Sequence, residues 1–152
     1  MNVSKTKMII AAVGVSLGAT FAFAAGDDTI KARQACMKAQ GGGVFGAMFP
    51  ILKGEKPYDA TAIKAAFDAM DAACADWNNF WTEDSMTSTT MKTRAKPEIW
   101  TDKAGFEAAG GASYQAMTAL KATTDEASFK AALPAVGAAC QGCHEKFQAP
   151  KE

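Results

Sequence analysis

The chain is nearly without histidine: His144 is the only one in 152 residues. One imidazole rules out bis-histidine ligation of a metal within the chain. With a single C-x-x-C there are also too few ligands for a four-coordinate zinc site. Nor is charge of one sign in excess, since 16 lysines and arginines face 16 aspartates and glutamates. A nucleic-acid binder would need a basic footprint that this balance does not supply. Clusters of β-branched residues bounded by hairpin turns are missing while alanine recurs throughout, which favours helices over strands. Beyond residue 25 no stretch is long and apolar enough to cross a membrane. No internal repeat is visible, and Gly41-Gly42-Gly43 is the only low-complexity spot.

What is present is a chemically specific run near the C-terminus, Cys140-Gln141-Gly142-Cys143-His144. Two thiols at this spacing, followed directly by an imidazole, form the pattern of c-type haem attachment. The cysteines add to the haem vinyl groups as thioethers, and the histidine becomes the proximal iron ligand. The expected cofactor is therefore one covalently bound haem c per chain. A C-x-x-C also serves as a redox dithiol, and that reading predicts a thiol oxidoreductase without haem.

The N-terminal segment agrees with export. Lys5 and Lys7 precede an apolar stretch from Met8 to about Phe23, and Ala22-Phe23-Ala24 is a small-residue cleavage site. Residues 1–24 thus read as a secretory signal peptide. An uncleaved anchor is the alternative, against which Gly14, Ser16, Gly18 and Thr20 speak. The mature domain is then residues 25–152, not membrane-spanning, in a bacterial periplasm, which is oxidising. Its 14 basic and 16 acidic residues leave a net charge of −2. Its length suits one domain with one core.

Periodicity predicts four helices. The first covers about 28–52, capped by Asp27 or Asp28, with Ile30, Met37, Val44 and Ile51 as its apolar stripe. The second covers about 60–81 behind Asp59, where Ile63, Phe67, Met70, Cys74, Trp77 and Trp81 recur every three or four residues. The third covers about 102–121, with Phe106, Ala109, Ser113, Met117 and Leu120 inward. The fourth starts after Thr124, whose hydroxyl is the expected cap, and repeats the rhythm through Phe129, Leu133, Val136, Cys140, Cys143 and Phe147. Pro134 lies inside it and predicts a kink without a break. Short links between the first two and the last two helices force antiparallel neighbours, and Ile99 or Trp100 of the long connection between the second and third helices docks on the bundle end. The fold class is all-α, an antiparallel four-helix bundle with haem lodged near one end.

Taken together, these residues resemble the class II cytochromes c, the family of cytochrome c' and its low-spin, six-coordinate relatives. The resemblance rests on Cys140-x-x-Cys143-His144, Arg33-Gln34, Gly54-Glu55-Lys56-Pro57-Tyr58-Asp59 and Pro97-Glu98-Ile99-Trp100. It spans nearly all of the mature chain. It implies that the residue one turn after the arginine, Met37, points at the open face of the iron. An apolar residue there leaves iron five-coordinate, whereas methionine supplies a thioether as sixth ligand. Met37 is accordingly the candidate distal ligand, or else core packing; Met48, Met70 and Met117 are other sulfurs that read as core. Arg33 and Gln34 are candidates for a haem propionate or the site rim, or are solvated. The resemblance also implies a homodimer through helices 1 and 2 as one use of the small residues on the first helix, internal packing being the other.

Family members often carry an aromatic and then a basic residue shortly after the histidine. Here these are Phe147 and Gln148, so the basic charge beside the proximal ligand is missing. Cys36 and Cys74 lie at similar distances from the first turn, and two readings stand: a disulfide, or two buried thiols. The functional expectation is a periplasmic one-electron carrier serving unidentified redox partners, with no catalytic residues and no enzymatic activity of its own. The alternative is a five-coordinate protein that binds nitric oxide or carbon monoxide.

Overall fold

Alanine-rich segments with few breakers make long helices. In the computed structural model, which describes residues 18–151 with side chains from Gly26 onward, the first rod is continuous. Helix α1, Gly18–Lys38, passes through a π-helical stretch, Ala39–Phe45, into α2, Gly46–Leu52. Helix α3 is Ala60–Ala73, α4 is the single turn Glu98–Thr101, α5 is Lys103–Lys121 and α6 is Glu126–Phe147. The first rod, α3, α5 and α6 are the four members of the antiparallel bundle. Among the described residues there is no strand, only an antiparallel bridge between Ala95 and Gln148. Of the expected signal peptide, residues 1–17 lie outside the described residues.

Three boundaries differ from the expectation. Helix α1 starts upstream of Asp27 and Asp28, which are therefore not its cap. The Asp27 carboxylate instead accepts from Ser88 Oγ at 2.5 Å and from the Thr90 hydroxyl, tying a distant loop to the rod. A Cβ at Gly26 would collide with the Asp84 carbonyl, so glycine is required where that loop crosses. The three consecutive glycines fall in the π-helical stretch, and a Cβ at Gly41 or Gly43 would meet nothing within 4 Å. Close approach of another helix within the chain is thus not their reason.

The rod ends at Gly54, whose φ of +75° is the left-handed C-terminal stop that glycine adopts without strain. Asp59 caps α3 as expected, accepting from Thr61 N at 2.9 Å and Ala62 N at 3.0 Å. The helix stops at Ala73, well short of Trp81. Asp76, Asn78 and Asn79 are residue types that favour turns over helix interiors, and the chain turns through a short 3-10 segment, Trp77–Asn79. Here Cys74 joins Cys36 in a disulfide, with Cα atoms 4.8 Å apart.

Helix α6 is capped by Asp125, not Thr124: its carboxylate accepts from Ser128 N at 2.8 Å. A carboxylate at the N-terminus also meets the positive end of the helix dipole, an advantage the hydroxyl lacks. The bonds from Ser128 hold its pKa below the ordinary aspartate value. A folded-state pKa below the unfolded one gives stability that is present above the unfolded value and lost as pH falls through the folded one. Asp125→Ala therefore lowers the melting temperature at neutral pH, and the gap from wild type closes in acid; melts at both pH values check this. The helix runs unbroken through Pro134.

Two apolar clusters result. The main one joins Val44, Met48, Ile51, Phe67, Leu120, Phe129, Leu133 and Val136. A smaller one, Ile99, Phe106 and Phe147 with Trp77, Trp81 and Trp100 against it, closes the other end. Ile99 is 4% exposed and Trp100 donates its indole N–H to the Trp81 carbonyl at 2.9 Å, so both docking residues of the long connection are engaged.

Candidate functional site

The stripe of α6 changes character along its length. Phe129, Leu133 and Val136 are buried in the main core, and the next two stripe positions are the half-buried thiols of Cys140 and Cys143. Cys140 packs on the main cluster and Cys143 on the aromatic one, so the pair spans the gap between them. Both are free, and with His144 they line a cavity of about 1020 Å³. That lies at the upper end of small-molecule and cofactor sites. Met37 and Gln40 of the first rod line it too, with Met70, Met117, Trp81 and Phe106 among its apolar walls and Lys103 and Lys121 among its charged lining residues.

Of the expected site residues, the structure thus brings Met37, Cys140, Cys143 and His144 to one cavity. Met37 is half-buried there, beside the buried stripe and not on it, because Cys36 takes the buried position on that turn. Met48 is fully buried in the main core and does not line the cavity. Met70 and Met117 belong to that core and also reach the cavity wall.

Arg33 and Gln34 do not line it. Arg33 is 4% exposed, and its guanidinium donates to the carbonyls of Phe80 and Ser85 and to the hydroxyls of Ser85 and Thr93, at 2.9 to 3.1 Å. It also lies over the rings of Trp81 and Trp100, with centroid distances of 5.1 and 5.9 Å. The expected rim contact is absent because these donors are spent on the loop that carries the cavity's tryptophans. The solvated alternative fails for the same reason. Gln34 is exposed and donates to the Lys92 carbonyl at 2.8 Å.

Burial raises the pKa of the Cys140 thiol, and burial followed by the charge of Cys140 raises that of Cys143. Both are therefore protonated at neutral pH, the opposite of the activated thiolate a dithiol oxidoreductase needs. Partial desolvation and then Arg94 lower the pKa of His144, keeping the imidazole neutral with a lone pair available to a metal. The Trp81 indole N–H is buried without an acceptor although its ring lines the cavity. An unpartnered buried donor is costly, and a carboxylate-bearing ligand in the cavity would satisfy it. Thiols, imidazole, thioether, apolar walls and an orphan donor together fit a haem.

One residue was not legible in the sequence. Gln148 carries no charge, yet Arg94 crosses to it, donating to Gln148 Oε1 at 3.2 Å and to the Ala149 carbonyl at 2.7 Å. With His144 it lines a groove on the outer side of α6. Backbone bonds from Lys96 N to Phe147 O and from Ala149 N to Arg94 O bring it there. The missing basic charge is thus supplied by a segment some fifty residues upstream.

The family described as Cytochrome C' matches residues 28–148. Cytochrome c' of Alcaligenes xylosoxydans is 33% identical over 133 residues, covering 85% of this chain and 99% of that one. Cytochrome c-556 of Agrobacterium fabrum is 34% identical over 131 residues, covering 85% of each. Among solved structures, a ferrous arginine-to-lysine variant of cytochrome c prime from Alcaligenes xylosoxidans with bound NO superposes with a TM-score of 0.68. It is 32% identical and covers 83% of this chain and 97% of that one.

Proposed function

The chain belongs to the cytochrome c' family of class II cytochromes c, which bind one covalent haem c per chain, and we propose that it is an exported one-electron carrier with His144 and Met37 as axial ligands. The observation that carries this reading is that Met37 of the first rod and His144 of α6 line the same cavity as both free thiols. Haem bound there supplies a one-electron iron couple. Cys140 and Cys143 would tether it as thioethers, and His144 on the same helix would ligate the iron. Met37 would supply the second iron ligand, a soft sulfur that favours ferrous iron and so would raise the potential. The apolar and aromatic walls exclude water and thereby do the same. The Trp81 N–H and Lys103 are the groups available to the propionates, Lys121 being paired with Asp71.

Export of the chain with removal of residues 1–24 places the carrier in the periplasm, where the Cys36–Cys74 disulfide is stable. Cleavage there would leave Asp27 and Asp28 in the first turn of α1, the end that favours negative charge. A homodimer through the first two helices belongs to the same reading; Phe49, 44% exposed and stacked on Phe45, lies on the first of them.

Arg94 acts on the proximal side. A cation beside His144 disfavours the extra positive charge of ferric iron. Arg94→Gln therefore lowers the midpoint potential by roughly a few tens of millivolts, and Arg94→Lys restores most of it; redox titration of the three proteins checks this.

The second reading is a five-coordinate gas binder, favoured by the NO-bound relative described above. The absorption spectrum of the holoprotein separates the two. The carrier gives a low-spin ferric spectrum with a near-infrared methionine-to-iron band and a ferrous form that carbon monoxide does not shift. A high-spin spectrum that shifts with carbon monoxide means an open iron and replaces the carrier reading.

A further inference from the structure

We propose that the Cys36–Cys74 disulfide is the positioning element of the distal ligand, clamping the Met37 turn so that its sulfur stays on the iron. This rests on the Met37 reading above. Cys36 is fully buried and adjoins Met37 in the chain, while Cys74 is the C-cap residue of α3 and itself lines the cavity. The bridge therefore ties the last regular turn of α1 to the end of a second bundle helix, right at the cavity wall.

The chain needs such a tie at this point. Immediately beyond, Ala39–Phe45 abandons α-helical geometry, and three of its seven residues are glycine. Glycine interiors are intrinsically weak helix, and Gly41 and Gly43 have no neighbour against which a side chain would pack. Met37 is thus held on its N-terminal side, where the disulfide pins the adjoining Cys36 and Arg33 is bonded into the loop, while on its C-terminal side the next buried residue is Val44, across the glycine run. Gln40 extends the clamp. Its amide donates to Cys36 Sγ at 3.3 Å and to Cys74 Sγ at 3.5 Å, and its side chain lines the cavity. Removing the sulfurs frees both Met37 and Gln40.

An axial sulfur that must leave before an external ligand enters sets the entry rate through the open fraction, and a loosened turn raises that fraction. The test compares four holoproteins: wild type, the double variant C36A/C74A, Met37→Ala, and Asp125→Ala as a destabilised control whose site is intact. Carbon monoxide association with ferrous protein and the near-infrared methionine band of ferric protein are recorded beside thermal melts. The clamp predicts that C36A/C74A keeps its haem but takes up carbon monoxide about tenfold faster than wild type, with a weakened band. Asp125→Ala melts lower at the wild-type rate. Should the double variant fail to accumulate, folded wild type treated with a phosphine reductant, its two new thiols counted by mass spectrometry, reads the same rate. A disulfide-free protein with the wild-type rate and full band overturns the clamp while leaving Met37 ligation standing. Wild type indistinguishable from Met37→Ala overturns the ligand reading and the clamp with it.

Discussion

Serine at both 140 and 143 yields a protein whose red colour passes into the organic phase on acid–acetone extraction, whereas each single serine variant retains haem through one thioether. The reason is positional. Cys140 and Cys143 occupy the cavity-facing stripe of α6, one against each apolar cluster, so either can hold one edge of the macrocycle without the other. The double variant also loses stability, because the bundle is built around a cavity of about 1020 Å³ walled by apolar side chains. A ligand held at about a thousand times its dissociation constant contributes about 4 kcal/mol, and untethering forfeits stabilisation of that order at low haem concentration. Pyridine haemochrome spectra of the extracted phases and urea melts of the three variants measure both effects. Haem that stays with the doubly substituted chain would place the attachment elsewhere.

Met37→Ala has the next largest effect. Without the thioether the ferric iron becomes high-spin, the near-infrared methionine band disappears and carbon monoxide binds freely. If the wild-type sulfur leaves the iron open about 1% of the time, the variant takes up carbon monoxide roughly a hundredfold faster. Its midpoint potential falls, since the ligand that favours ferrous iron is gone. The bundle itself survives, because Met37 is half-buried on the cavity wall while Cys36 and Met48 fill the core beside it. Stopped-flow mixing with carbon monoxide reads the change directly. Equivalent substitutions at Met70 or Met117 loosen the main core to which both belong and leave the iron spectrum unchanged.

Much of this site is readable in the chain because its determinants are local. The stripe Phe129, Leu133, Val136, Cys140, Cys143 repeats with the helical period, so the placement of both thiols on the inner face of α6 follows from spacing alone. The end of α3 is not legible because Trp77 and Trp81 keep helical spacing while serving another purpose: beyond the helix Trp77 stacks on Phe106 and Trp81 meets it edge-on, at 6.2 and 4.6 Å between centroids. Asparagine and aspartate between them carried the contrary signal. The remaining surprises depend on tertiary contacts between distant segments. Nothing near Arg33 announces that a loop starting almost fifty residues later will consume its guanidinium, nor does Gln148 reveal that Arg94 will lie against it. The disulfide was an open choice because spacing sets the height of two cysteines along antiparallel helices but not the facing of their β-carbons. The π-helical stretch had its clue in the glycine run, whose meaning lies in the backbone and not in a close neighbour.

The central claim is that Met37 sulfur and His144 nitrogen hold the iron between them. Proton–carbon NMR of the reduced protein, labelled at its methionine methyl groups, tests this most directly, because the ring current of ferrous haem displaces only a methyl on its axis. One methyl resonance far upfield of all others, absent from the Met37→Ala spectrum and retained in the Met70 and Met117 variants, is the predicted result. A reduced wild-type spectrum with every methionine methyl in the ordinary range would contradict the account.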